Sequence, residues 1–360
     1  MSPNTLLELP TLTVRGTPQA LGEGQGEHLR ALIHAFMDVR FSAVEQYCRD
    51  RGLPGAEAVF AVAEIGLARQ QAWDPAGHAE HVGIARGAGV DPVRLYAATQ
   101  MTDLRDVLVL PAPTDEGCTS LLLAPDRTRA GQVIGGQTWD LNPPDVDFIV
   151  AIERRPDEGP ATWSVTCAGC LSLMGINAHG VALGTTNIKT RDSRADGVGY
   201  LALIHRALRA ATAAEAARLI ETAPRTAAHT YWIVDPTEAI SLETSPSVLA
   251  RRDVRAGAFV QTNHCQAPAL GAMQGEATSD SSARRLAVTT AGAERGDHDW
   301  QSVQGLFADR SAGVLSVNRY AEDDQGTATN AVFIALPAER AAWACRGPAD
   351  RGRFIRLGFA

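Results

Sequence analysis

An α+β layered fold is predicted for this 360-residue chain by three observations. The first 116 residues carry helical periodicity. Short strands separated by tight turns crowd residues 117–187. Beyond them helices and strands arrive in blocks rather than in β-α-β alternation, the pattern of segregated layers.

The elements follow in order. Leu29, Leu32, Ile33, Phe36 and Val39 recur at helical spacing, and Val59, Val62, Ile65 and Leu67 repeat the pattern. Asp91-Pro92 opens a third helix around Leu95 to Leu104, since proline fits the first helical turn. Gly22 to Gly26 has glycine at every second position and reads as a turn before a helix. Pro111 to Asp115 reads as a surface loop. Strands are expected from Cys118 into Leu123, over Gly131 to Trp139, Phe148 to Glu153, Trp163 to Cys167, Leu173 to Asn177 and Val181 to Asn187. Asn177-Ala178-His179-Gly180 makes a hairpin turn with a solvated His179. Tyr200 to Thr222 reads as one helix. Thr230 to Val234, Ala239 to Thr244 and Phe259 to Thr262 read as strands. Ser281 to Ala293 and Trp300 to Phe307 read as helices, and Ala331 to Ala335 with Ala341 to Cys345 as a final strand pair.

Hydrophobic residues make up 45% and charged residues 21%, which excludes a disordered or collagen-like chain. A chain of this length buries enough surface to need no disulfide staple. The net charge of -8 with no basic stripe argues against nucleic acid. Met1-Ser2-Pro3-Asn4 has no basic region leading into an apolar run, and no apolar run reaches membrane length. A cytoplasmic location with reduced thiols is expected. Lys189 is the one lysine and sits in a polar stretch, so it makes a poor catalytic base.

Chemistry is expected at three points. Gly117-Cys118-Thr119-Ser120 places a thiol between a proline-rich loop and a strand. Gly136-Gln137-Thr138-Trp139-Asp140 ends the next strand on an aspartate beside an aromatic. Gln261-Thr262-Asn263-His264-Cys265 ends a later strand on an amide and an imidazole. A cysteine nucleophile needs a base, and an acyl intermediate needs donors for its oxyanion. An asparagine amide is a suitable donor.

These motifs, in this order, resemble the isopenicillin-N acyltransferase (acyl-coenzyme A:6-aminopenicillanic acid acyltransferase) family of the N-terminal-nucleophile (Ntn) hydrolases. Met174 to Ala182, Ser316-Val317-Asn318-Arg319 and Thr327 to Asn330 extend the likeness over roughly residues 117–348. The resemblance implies a four-layer αββα fold and self-cleavage between Gly117 and Cys118. A helical segment, residues 1–117, would become the α chain, and residues 118–360 the catalytic β chain. Cys118 would be the nucleophile and its new α-amine the base; with a pKa of about 7.7–8.0 that amine suits the task. Asn263 would supply the oxyanion hole, and Asp140 would orient the new N-terminus. Thr119, Trp139, His264 and Arg319 are candidates for substrate contact or support. The implied substrate is a small N-acyl amide or an acyl thioester such as a coenzyme A ester, with no cofactor. The family pattern is broken at Asp324-Gln325-Gly326, where an arginine is expected at Gln325; Arg319 is the nearest replacement in sequence.

Two other readings stand beside this one. Cys167-Ala168-Gly169-Cys170 has the spacing of a redox pair or half a zinc site, although no second pair completes a metal site. A non-catalytic relative would keep the fold without the chemistry.

Overall fold

A computed structural model describes residues 6–51, 57–108 and 117–359. The loop expected at Pro111 to Asp115 lies outside the described residues. The chain opens with strand β1 (Thr11–Gly16), followed by α1 (Pro18–His28), α2 (Arg30–Arg51), α3 (Glu57–Trp73), α4 (Pro75–Ala88), α5 (Pro92–Thr99) and α6 (Met101–Leu108). Six strands come next: β2 (Thr119–Leu123), β3 (Ile134–Leu141), β4 (Ile149–Pro156), β5 (Thr162–Cys167), β6 (Met174–Asn177) and β7 (Ala182–Asn187). After α7 (Tyr200–Ala207) and α8 (Ala213–Glu221) come β8 (His229–Val234), β9 (Ala239–Thr244), β10 (Leu249–Asp253) and β11 (Ala258–Gln261). The chain closes through α9 (Pro268–Gly271), α10 (Asp280–Ala293), α11 (Trp300–Phe307), β12 (Ala328–Leu336), β13 (Ala341–Arg346) and β14 (Ile355–Gly358).

The strands form two sheets. One has eight strands in the order β1-β4-β5-β6-β7-β8-β9-β10, the other six in the order β11-β2-β3-β12-β13-β14. Among the described strand pairs only β1–β4 is parallel. The sheets pack face to face, with β2 and β3 against β7 and β8. Leu203, Ile204, Ala216 and Ile220 of α7 and α8 join the core of the larger sheet. Val303 and Phe307 of α11 pack with Leu121, Val332 and Ile334 of the smaller one. Helix, sheet, sheet, helix is the four-layer arrangement expected. A polar clamp crosses the sandwich: Gln137 Oε1 on β3 accepts from Trp232 Nε1 and from the Thr185 amide, each at 2.7 Å. Hydrogen bonds of this kind fix how two otherwise slippery apolar faces align.

The N-terminal region departs from expectation in three ways. Thr11 to Gly16 is a strand, with Val14 buried at the sheet edge. Of the helical stripes, Ile33, Phe36, Val59 and Leu67 are buried while Leu32 and Ile65 face outward. Gly22 to Gly26 is no turn but the interior of α1, where it packs on α4. A Cβ on Gly22 would stand 2.0 Å from the Glu80 carbonyl oxygen, and one on Gly83 2.4 Å from that of Gln19. The glycines are therefore what lets the two helix backbones touch, at the cost of helix propensity.

Buried polar contacts between acidic side chains and arginine or histidine tie this region to the rest. Arg40 meets Asp145 at 2.7 Å, and Asp103 meets His229 at 2.6 Å. Glu80 on α4 meets Arg154 Nε at 2.5 Å and His205 Nε2 at 3.1 Å. Burial alone would raise the Glu80 carboxyl, but His205 and Arg154 outweigh it and hold it at about 2, against an ordinary 4.5. A depressed carboxyl stabilises the fold above its unfolded pKa and stops doing so as pH falls through the folded one. Breaking a buried pair from one side costs about 3–5 kcal/mol. Glu80→Gln is therefore expected to lower the thermal midpoint clearly at pH 6, with the gap to wild type closing between pH 4.5 and 2. A gap independent of pH would remove Glu80 from this role.

Among the described residues no helix is long and apolar enough to cross a membrane.

Candidate active site

Cys118 immediately precedes β2, and Asp140 lies near the end of its partner β3. The register Thr119↔Thr138 sets the two side by side. The Asp140 amide points at Cys118 Sγ from 3.4 Å, and Sγ lies 3.6 Å from the Asp140 carbonyl oxygen. Thr138 Oγ1 contacts Asp140 Oδ2 at 3.4 Å and accepts from the Thr119 amide at 3.2 Å. Asp140 is fully buried, and its Oδ1 has no hydrogen-bond partner. Burial pushes this carboxyl up to about 7, against the pull of Arg319 and Arg285.

Arg285 on α10 joins the predicted residues together. Its Nη1 donates to the Cys118 carbonyl at 2.5 Å and to Thr119 Oγ1 at 3.0 Å. Its Nη2 donates to Asn263 Oδ1 at 3.0 Å. That bond fixes the asparagine's orientation, because it leaves Nδ2 as the outward donor. One Nδ2 hydrogen goes to the Asn187 carbonyl at 2.9 Å; an amide nitrogen carries a second. Cys118, Thr119 and Asn263 are thus held by one guanidinium that is itself fully buried.

Arg319 packs on the other side of the junction. A Cβ on Gly117 would lie 2.7 Å from Arg319 Cδ and 2.8 Å from Asp140 Cβ. Only glycine fits there without displacing both. Arg319 donates to Thr327 Oγ1 and to Ser281 Oγ, and Arg285 Nε donates to the same Ser281 hydroxyl at 3.2 Å. Gln325 donates to the Asp323 carbonyl at 3.2 Å within its own loop.

The remaining candidates divide. Trp139 is buried and borders a cavity of about 20 Å³ with Cys118, Asp140, Asn187, Tyr200 and His229, enough for one water. His264 turns away: its Nδ1 meets Ser282 Oγ at 2.8 Å and Thr262 Oγ1 at 3.2 Å, which fastens its turn to the start of α10. His179 is exposed in its turn. Cys167 and Cys170 are buried free thiols flanking a turn, and burial together with the neighbouring thiol pushes Cys167 up. No group of three or more His, Cys, Asp or Glu among the described residues is placed to hold a metal. A larger cavity of 430 Å³, floored by Glu80, Arg154 and His205, contains none of the predicted site residues.

Sequence reasoning missed Arg285. Its only signal was the tandem Arg284-Arg285 on a helix, of which Arg284 is exposed and Arg285 buried. It also missed Asn187, His229 and Asp103, which carry no local motif.

Residues 127–351 match the family described as acyl-coenzyme A:6-aminopenicillanic acid acyl-transferase. The chain belongs to this family. Its relatives by family are acyl-transferases, so the chain is an enzyme. The match to the acyl-transferase family starts beyond Cys118 and covers Asp140, Asn263, Arg285 and Arg319. No curated protein matches the chain. Among solved structures, penicillin V acylase from Agrobacterium tumefaciens has 13% identity and a TM-score of 0.44, covering 67% of this chain and 86% of that one. A mutant conjugated bile acid hydrolase from Clostridium perfringens has 13% identity and a TM-score of 0.42, covering 68% and 97%.

Proposed function

We propose that the chain is a self-processing cysteine amidohydrolase or acyltransferase acting on a small N-acyl amide through a Cys118 thioester. The observation that carries this reading is the junction itself. Arg285 anchors Cys118 through its carbonyl from one side, while Gly117, whose carbonyl is the one attacked, is wedged between Arg319 and Asp140 on the other.

In the first stage the Cys118 thiol attacks the Gly117 carbonyl. The peptide bond gives way to a thioester; the released Cys118 nitrogen takes up a proton, and the group that gives it regains one from the thiol. Asp140 is suited to supply it, since a carboxyl near 7 is partly protonated at neutral pH. Water then frees residues 1–117. The new α-amine lies beside Asp140, whose charged form it would favour.

In the second stage that amine takes the thiol proton and Sγ attacks the substrate amide. The second Asn263 Nδ2 hydrogen meets the oxyanion, and the α-ammonium protonates the leaving amine. Water completes hydrolysis; a second amine completes transfer. The break at Gln325 favours hydrolysis over transfer to 6-aminopenicillanic acid.

The test is a panel of N-acyl amides and acyl thioesters given to processed protein, with an acceptor amine present or absent. Amine release from amides, faster than amide synthesis from thioesters, is expected. Rapid penicillin formation from a phenylacetyl thioester, outrunning thioester hydrolysis, would instead make the enzyme a transferase of the penicillin type. A full-length active chain with a Cys167–Cys170 disulfide would favour the redox reading.

A further inference from the structure

The cavity of about 430 Å³ takes no part in the steps above, and Cys118 does not border it. Its size falls in the range of small-molecule sites, about 300–1,000 Å³. Its walls come from both sides of the Gly117–Cys118 bond. Leu21 on α1 with Ala76 and Glu80 on α4 precede that bond; Arg154 on β4, the β4–β5 turn, His205 on α7 and Arg209 follow it.

The buried part of the wall carries Glu80, Arg154 and His205. Both Glu80 oxygens are engaged, one by Arg154 Nε at 2.5 Å and one by His205 Nε2 at 3.1 Å. Arg154 has donors to spare. Its Nη1 donates to Ser164 Oγ at 2.6 Å and its Nη2 to Gln25 Oε1 at 3.0 Å. With Nε, that uses three of the five hydrogens a guanidinium carries. Arg209, only partly exposed, gives one to Asp74 Oδ2 at 2.5 Å. Helix α4 starts at the same wall, with Ala76 in its first turn and no side-chain capping bond from Asp74. The positive end of its dipole therefore adds to the two arginines. Donors outnumber free acceptors here, so an anion is favoured. A monoanion suits the place better than a phosphate, because Glu80 repels a second negative charge. A carboxylate also matches the guanidinium fork.

The outer part has the opposite character. Asp157 and Glu158, both exposed, stand on the β4–β5 turn, where they favour a cation. Leu21, Pro18, Pro156 and Pro160 supply apolar wall.

We propose that this cavity is a second small-molecule site, which takes an apolar amino acid or short apolar peptide, with the ligand carboxylate on Arg154 and Arg209 and its ammonium at Asp157 and Glu158. Nothing in this depends on a Cys118 thioester. Because the walls belong to both predicted chains, an occupant would also hold those chains together.

The experiment is titration calorimetry and thermal unfolding of the full protein with four probes. L-leucine and L-leucyl-L-leucine carry both charges; 4-methylpentanoate lacks the ammonium and 3-methylbutylamine the carboxylate. At least one zwitterion is expected to bind and to raise the thermal midpoint by a few degrees near saturation. The tighter of the two tells amino acid from peptide. Each singly charged analogue should bind at least about tenfold more weakly. Ala76→Phe, which fills the cavity, should abolish binding. Asp157→Asn with Glu158→Gln should weaken the zwitterion roughly 2–30-fold, as two exposed ion pairs allow, and leave 4-methylpentanoate unchanged. If Ala76→Phe does not fold, the Asp157/Glu158 double variant decides, since both side chains are exposed. Failure of both zwitterions to bind at millimolar concentration would overturn the proposal. So would analogues that bind as well as the zwitterions, a folded Ala76→Phe that still binds them, or a double variant with wild-type affinity.

Discussion

Replacing Cys118 with alanine is expected to leave one 38.2 kDa chain with no turnover. A thiol in mid-chain has no α-amine, so cleavage must precede catalysis, and cleavage needs the thiol. Gly117 supplies the carbonyl directly ahead of it. The junction is already braced, with the Cys118 carbonyl on Arg285 at 2.5 Å and Asp140 and Arg319 closed around Gly117. Wild type should give two fragments under denaturing conditions, the smaller being 117 of 360 residues, about one third. Under native conditions they should stay together. Ile33, Phe36, Ile84 and Leu95 share one apolar core with Val165, Leu203 and Ile233 from beyond the break, and severing one peptide bond removes none of that burial. Denaturing mass spectrometry decides the matter. A Cys118→Ala chain cut at the same bond, or an active wild type left uncut, would end the N-terminal-nucleophile mechanism here.

The sequence made legible those site residues that sit at strand ends, because a strand end next to a turn is where a side chain is held yet reachable. Cys118, Asp140 and Asn263 each occupy such a place. Arg285 does not: it shares a helix with Arg284, and only the packing of α10 on the sheet decides which one is buried. Asp103 and His229 lie 126 positions apart, a separation that no local pattern bridges.

Helix boundaries show the same limit. Tyr200 to Thr222 reads as one helix because nothing from Leu208 to Thr212 opposes it in propensity. The break is imposed from outside. Asn177 donates its side-chain amide to the Leu208 and Ala210 carbonyls at 2.9 and 2.7 Å, drawing both out of the helical ladder. Asp235 then accepts from the Ala213 amide at 2.8 Å, and Thr212 caps the new helix by accepting from Glu215 at 3.1 Å. Tertiary hydrogen bonds here override local preference. Gly22 to Gly26 fails for the opposite reason: its glycines break the local helical rule so that α1 can touch α4.

Asn263→Ala is expected to lower kcat by roughly 10²–10³ while KM changes little, the signature of an oxyanion donor worth about 2.7–4 kcal/mol in the transition state. The prediction depends on how the amide is held. Arg285 donates to Oδ1 at 3.0 Å, so the side chain cannot flip without facing two donors toward each other. Nδ2 is thereby committed as donor, with one hydrogen on the Asn187 carbonyl at 2.9 Å and the other directed elsewhere. Alanine removes both bonds and leaves Arg285 with one acceptor fewer, yet that guanidinium keeps the Cys118 carbonyl, Thr119 Oγ1 and Ser281 Oγ. Stability should therefore drop only by about 1–3 kcal/mol, and the variant should fold with cooperative thermal unfolding. Asn263→Asp sharpens the test. A carboxylate would pair with Arg285 as well or better, which offsets the loss of the bond to the Asn187 carbonyl, but it presents an anion where the oxyanion forms. Its turnover should fall below that of Asn263→Ala. If the aspartate variant works as well as the alanine one, or either keeps near wild-type kcat, the oxyanion is held elsewhere and Asn263 serves only to position its neighbours.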